Sequence, residues 1–245
     1  AVVRHHAYKL SGITNGIDEQ TWNPANDPYL PVHFSRDQLT GKADCRDILL
    51  KECGLVQAPG ACLVAVVSRL AEQKGVDLIL DAVSPYILAG RMQLIILGAG
   101  DLGLEQRIRA LQYQHPGWVY AWHGYNEDLA HRFIAGADAF LIPSRFEPCG
   151  LTQMYAMRYG TLPIARFTGG LADTVRDVST GQGTGFTFGP IDVGHFSAVL
   201  DRAFGMYKHF PEQWRAAQLT AMAQDFSWDR AANGYADMYR SMTFV

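Results

Sequence analysis

From residue 63 to the C-terminal region, short apolar runs alternate with stretches of helical spacing, and few architectures satisfy that alternation. Residues 63–68 are an almost unbroken apolar run, the pattern of a strand buried on both faces of a parallel sheet. Helical spacing follows at 75–88, where Val76, Ile79, Leu80 and Val83 share one face. The pattern predicts further strands at 92–97, 118–122, 139–142, 162–165 and 186–188. It predicts intervening helices at 102–114, 127–135, 150–159 and from Gly169, and closing helices at 196–207, 212–224 and 229–239. Repeated βα units of this length predict an α/β fold: a Rossmann-like doubly wound parallel sheet covered by helices on both faces. Residues 1–60 lack this rhythm. Pro24, Pro28 and Pro31 interrupt a polar stretch, 22–36, that reads as an ordered linker leading to a helix at 41–53.

Composition narrows the function classes. A chain of 245 residues, 48% hydrophobic, is long enough for one large domain or two small ones. A net charge of −3 supplies no field for a polyanion, so nucleic acid is not an expected partner. No apolar run reaches the length needed to cross a bilayer and no signal-peptide pattern opens the chain, so no membrane partner is expected. Cys45, Cys53, Cys62 and Cys149 form no Cys-x-x-Cys pair and do not stand at zinc spacing from His123 or His131. They read as reduced thiols. The chain begins Ala1-Val2-Val3 without Met, as expected for a piece of a longer polypeptide.

Ligands of doubly wound sheets bind at the carboxyl ends of the strands, and four sequence features collect there. Ser68-Arg69-Leu70-Ala71-Glu72-Gln73-Lys74-Gly75 follows the first strand, with two cations able to close on one anion. Arg69 is the stronger candidate of the two, because it abuts a buried strand where an unpaired guanidinium would be costly. The second feature is Glu147-Pro148-Cys149-Gly150-Leu151-Thr152, after the strand at 139–142 and at the start of a helix. Free N–H groups and the helix dipole there suit a phosphate, with a carboxylate beside it for what the phosphate carries. Gly98-Ala99-Gly100-Asp101 looks like the start of a dinucleotide fingerprint but follows a later strand, so it reads as a tight turn near the ligand. Last, His123-Gly124-Tyr125 places an aromatic at a strand end, where a base can stack. No two Asp residues stand two apart to hold a metal on a sugar nucleotide, and no Gly-x-Ser-x-Gly elbow is present.

Further segments complete a resemblance. They are Ser11-Gly12-Ile13-Thr14-Asn15-Gly16-Ile17-Asp18, Trp22-Asn23-Pro24, Tyr159-Gly160-Thr161-Leu162-Pro163, Thr168-Gly169-Gly170-Leu171-Ala172-Asp173-Thr174-Val175 and Asp225-Phe226-Ser227-Trp228. With the Ser68–Gly75 loop and the 147–153 motif, the chain resembles the C-terminal half of the bacterial glycogen synthases and plant starch synthases, nearly end to end. The resemblance implies a GT-B glycosyltransferase, two Rossmann-like domains facing across a cleft. Residues 1–245 would be its C-terminal donor-binding domain, with 1–60 a leading segment and linker, 61–228 the Rossmann-like core and 229–245 a C-terminal helix. The family's N-terminal Lys-Thr-Gly-Gly-Leu signature is nowhere in the chain, so the acceptor domain is expected to be absent.

The implied activity is transfer of glucose from ADP-glucose to the nonreducing end of an α-1,4-glucan, with retention. By resemblance Arg69, Lys74 and Glu147 are catalytic, the cations on the diphosphate and the carboxylate beside the glucose. Asn15 and Cys149 match contacts near the sugar, Gly150, Leu151 and Thr152 match phosphate donors, and Tyr125 matches the adenine platform. No cofactor and no metal are expected. The expected partners are ADP-glucose or ADP, and a glucan held mainly by the missing domain. The expected location is intracellular, in cytoplasm or plastid stroma. Wider relatives carry a second Glu eight positions after the first to hold the ribose; here that position is Tyr155. Two other readings stay open: a nucleotide-sugar-binding module without chemistry, and another GT-B enzyme that uses a UDP-sugar.

Overall fold

The structure, a computed structural model, describes residues 6–242. In chain order its main elements are α1 (Thr40–Glu52), β1 (Cys62–Val67), α2 (Val76–Ala82), α3 (Ser84–Leu88), β2 (Met92–Gly98), α4 (Leu102–Gln114) and β3 (Val119–His123). Then come α5 (Glu127–Gly136), β4 (Ala139–Ile142), α6 (Thr152–Arg158), β5 (Leu162–Arg166), α7 (Gly169–Thr174) and β6 (Phe186–Phe188). Three helices finish the described chain: α8 (Val193–His209), α9 (Pro211–Met222) and α10 (Trp228–Met242).

All six strands pair in parallel, in the order β3-β2-β1-β4-β5-β6. The register runs Val64 opposite Leu94, Val64 opposite Ala139, Leu94 opposite Val119, Ala139 opposite Leu162 and Ile164 opposite Phe186. β2 and β4 are buried along their whole length and β1 along all but its last residue, because helices cover both faces and no polar residue can be tolerated at alternate positions. The exception on β2, Gln93, donates its amide to the Val56 carbonyl at 2.8 Å. This is the doubly wound sheet that the alternation predicts.

Most boundaries shift by one to three residues, as at Val193–His209 against 196–207, and two differences have a definite local cause. The stretch 75–88 is two helices, α2 and α3, because Pro85 has no N–H to give and its ring crowds the preceding turn; it serves instead in the first turn of α3. The helix expected from residue 150 begins at Thr152. Gly150 has φ +71°, a left-handed turn residue that stands ahead of the α6 ladder.

The stretch 22–36 packs on the sheet's helices. Trp22 lies flat between His131 of α5, at 3.7 Å between ring centres, and Tyr155 of α6, at 3.8 Å. Asp27, fully buried, bonds His131 Nδ1 at 2.7 Å and accepts from the Tyr159 hydroxyl at 2.5 Å. Burial pushes the Asp27 carboxyl up, but those two bonds, together with the Tyr29 N–H and the charge of the His131 imidazole, outweigh it and hold the group below the usual carboxylate range. Leu30 and Phe34 add to the core. The polar composition of this stretch thus hides a few deeply anchored side chains.

Candidate functional site

The sheet order reverses between β1 and β4, so the loops after these strands diverge and leave a crevice at their carboxyl ends. The loop after β1 carries Arg69 and Lys74, and ends in a short 3-10 turn, Glu72–Lys74. Gly75 closes it with φ +69°; a Cβ there would collide with the Pro143 carbonyl of the loop after β4. That close approach brings Lys74 Nζ to 2.6 Å from Glu147 Oε2. Ser144 donates to the same oxygen at 3.1 Å, which leaves Oε1 for a ligand. The Glu147 side chain is 9% exposed and that of Lys74 21%, so this ion pair is desolvated on one side and open on the other.

Arg69 behaves differently from the sequence expectation. Its guanidinium is exposed rather than pressed on the buried strand, and it donates to Gln73 Oε1 at 3.2 Å. After a bend at Ser68 the buried Leu70 still pairs with Gly100, and Arg69, between Ser68 and Leu70, faces solvent. Gln73 also donates to the Phe146 carbonyl at 3.2 Å, and its own carbonyl accepts from Arg145 N at 2.8 Å. One amide therefore ties both loops together. Arg145, which adjoins the site in sequence, turns away to grip both carboxylate oxygens of Asp77, at 2.8 and 2.6 Å. The Arg145 bonds hold the Asp77 carboxyl below its usual range.

A third loop, between β5 and α7, supports Glu147 from beneath. Gly170 N donates to the Glu147 carbonyl at 3.0 Å. Gly169 has φ +46°, and a Cβ there would strike that carbonyl; a Cβ on Gly170 would strike the Cys149 main chain. Behind the turn, the buried Gln153 amide donates to the carbonyls of Cys149, at 3.1 Å, and Gly150, at 3.0 Å, and to Thr174 Oγ1 at 3.1 Å. Met154 N is the first helical donor, bonding Leu151 O at 2.9 Å, so the N–H groups of Leu151, Thr152 and Gln153 precede the α6 ladder.

Tyr125, at the end of β3, is 84% exposed, and its hydroxyl donates to Glu127 Oε2 at 3.2 Å. Its ring helps line a cavity of about 390 Å³ with Val67, Arg69, Gly98, Ala99 and Ala130. Gly103 gives the turn after β2 the full Gly-x-Gly-x-x-Gly spacing. These glycines answer a packing need: a Cβ at Gly98 or Gly100 would strike the carbonyls of Ser68 or Leu70 in the loop after β1.

Arg69, Lys74, Tyr125, Glu147, Cys149, Gly150, Leu151 and Thr152 thus gather around the carboxyl ends of β1, β3 and β4. Asn15 lines a cavity of about 210 Å³ with Phe226, Ser227 and Arg230, in a segment where Ile17 N bonds Phe226 O at 2.8 Å. Gln73, Ser144, Gln153 and the Arg145–Asp77 pair were not legible as site residues, since a buttress gives no signal until the loops are brought together. Gly169 and Gly170 were visible only as a motif. Among the described residues no group of three or more His, Cys, Asp or Glu side chains is placed to hold a metal ion, and no helix is long and apolar enough to cross a membrane.

Comparison with known proteins bears on this crevice. A family model, Glycosyl transferases group 1, matches residues 61–204. The glycogen synthase of Anaeromyxobacter dehalogenans (strain 2CP-1) is 46% identical over 243 residues, covering 99% of this chain and 50% of that protein. That of Paramagnetospirillum magneticum is 47% identical over 247 residues, again covering 99% of this chain and 50% of the relative. The chain spans about half the length of the curated relatives it matches. Among solved structures, the catalytic domain of Arabidopsis thaliana starch synthase IV bound to ADP and acarbose superposes with a TM-score of 0.90 at 40% identity. That match covers 98% of this chain and 50% of the other.

Proposed function

The chain belongs to the group 1 glycosyl transferases, with glycogen and starch synthases as relatives along nearly its whole length, and from that membership we propose that it is the donor-binding half of a glucan synthase. The proposed reaction moves glucose from ADP-glucose to the nonreducing end of an α-1,4-glucan, with retention and without a metal. The observation that carries this reading is the Lys74–Glu147 contact at 2.6 Å, at the point where the strand order reverses. It puts a cation and a carboxylate side by side, as a phosphorylated sugar requires.

As the glycosidic bond to the diphosphate breaks, negative charge grows on the leaving group and positive charge on the sugar ring. Lys74, Arg69 and the N–H groups ahead of α6 meet the first, as fixed donors that need no reorganisation. Glu147 Oε1 accepts a sugar hydroxyl and stabilises the ring's charge through space. Its other oxygen is held by Lys74 and Ser144, which fixes the carboxylate as a positioning group rather than a nucleophile. The N–H groups and dipole at the helix start stabilise charge on the leaving group that a metal would otherwise neutralise.

Thermal melts with ADP, ADP-glucose, UDP-glucose and UDP-N-acetylglucosamine test the donor. ADP-glucose and ADP are expected to raise the melting temperature most, by linkage to the folded state. Stabilisation by the uridine nucleotides alone would replace the adenine reading with a UDP-sugar enzyme, and stabilisation by none would remove the donor site.

A further inference from the structure

We propose that Glu127 reads the ribose diol of the nucleotide, and so selects ribonucleotides over their deoxy counterparts. The inference rests on the donor-site reading above but not on the identity of the base. A nucleoside diphosphate has three parts, and the crevice offers places for two of them at its ends. The base has the Tyr125 ring and the Gly98–Ala99 turn; the phosphates have Arg69, Lys74 and the turn before α6. The pentose must span what lies between.

Glu127 stands at the base end of that span, beside Tyr125. Ala130 lines the cavity, and Glu127, three residues earlier on α5, shares its face of the helix. Glu127 Oε2 accepts from the Tyr125 hydroxyl at 3.2 Å, which ties the carboxylate to the base end.

A carboxylate is otherwise out of place here. Beside a site that gathers cations for an anion, it weakens the field it adjoins. Helix α5 does not require it either, because Asp128 also stands in the first turn and Asn126 already caps Leu129 N at 2.9 Å. What the carboxylate adds is acceptor capacity. A vicinal diol presents two O–H donors, and an ionised carboxylate has about four lone-pair sites, one of which Tyr125 uses. None of the cations or N–H groups around the crevice can accept a hydrogen bond.

Calorimetric titration of the protein with ADP, 2′-deoxy-ADP and 3′-deoxy-ADP tests this, on wild type, Glu127→Ala and Tyr125→Phe. Wild type is expected to lose about tenfold or more in affinity when a ribose hydroxyl is removed, the size of a hydrogen bond to a charged group. Glu127→Ala should bind ADP that much more weakly and no longer distinguish the three ligands, while Tyr125→Phe should keep the discrimination. Loss of affinity by one common factor for all three ligands in Glu127→Ala would overturn the proposal. So would loss of discrimination in Tyr125→Phe equal to that in Glu127→Ala, which would mean that Glu127 only steadies the ring. A wild-type protein that binds none of the three would bring down the donor site itself, a different result from either.

Discussion

Lys74 and Glu147 meet across 73 residues of sequence, and the short contact between them makes each the other's support. On the proposed reading, Lys74 supplies charge to the leaving diphosphate, and Glu147 holds Lys74 in place while presenting its second oxygen to the sugar. In a full-length enzyme, Lys74→Gln should lower kcat by about 10²- to 10³-fold, the usual cost of one preorganised donor. The double variant with Glu147→Gln should lose less than the product of the two single losses, because the residues share one contact; initial-rate kinetics on the four proteins measure the coupling. A second lysine makes a different prediction. Lys42, at the other end of the sheet, is 7% exposed, and its ammonium donates to Ala135 O at 2.8 Å and Thr161 Oγ1 at 2.7 Å. It closes the carbonyl end of α5, where a cation suits the helix dipole. Burial pulls its pKa down to about 7. The unfolded chain therefore holds a proton on Lys42 between pH 7 and its ordinary value of 10.5, while the folded chain does not. Stability must rise with pH through that window, and the burden of the buried charge is fully present below it. Denaturation of wild type and Lys42→Met from pH 6.5 to 9.5 should show the difference in unfolding free energy moving in favour of wild type. The slope should approach about 1.4 kcal/mol per pH unit; a flat difference would contradict it.

The elements that carry the site are loops, and each is held by a contact that allows no side chain. Gly169 and Gly181 both have left-handed backbone, with φ +46° and +79°, but only Gly169 has its Cβ direction blocked, by the Glu147 carbonyl. Gly181→Ala should therefore cost only the left-handed penalty, about 1–2 kcal/mol. Gly169→Ala should cost more, and should weaken ADP binding because the Glu147 loop has to move. Thermal melts with and without ADP separate the two effects. The strands, most of the helices and the glycine-rich turns could be read in advance because each is set by local periodicity or by one residue's backbone freedom. Lys74 and Glu147 were legible because charge at the carboxyl end of a buried strand is conspicuous. The Gln73 bridge, the Arg145–Asp77 pair and the Trp22 stack were not. Each joins residues distant in sequence, and nothing local distinguishes Gln73 from a solvated glutamine or Arg145 from a ligand cation. Arg69 illustrates the same limit from the other side: its neighbour strand is buried, yet its guanidinium faces solvent.

On the scale of the whole molecule, the strand order decides what one such chain can do alone. Reversal between β1 and β4 opens one crevice, and the residues around it are the ones proposed to meet a nucleotide and the first sugar. On the proposed reading, the attacking hydroxyl of a glucan must approach the anomeric carbon from the open side of the Lys74–Glu147 pair, where the described residues supply no second wall. Holding two reactants in line is worth about 7–11 kcal/mol of the barrier, and closure of a cleft keeps water from taking the acceptor's place. A chain with the donor half only keeps the binding contributions of Lys74, Arg69 and the α6 turn but forfeits that positioning. We therefore expect this protein to be stabilised by ADP while elongating a labelled maltooligosaccharide at a small fraction of the rate of a form that also carries the acceptor half. Measured side by side at saturating ADP-glucose, the two should differ chiefly in turnover rather than in nucleotide affinity. Equal turnover would show that the acceptor is held on this sheet after all, and the exposed rings beside the acid, Phe146 and Phe167, would be the first place to look for it.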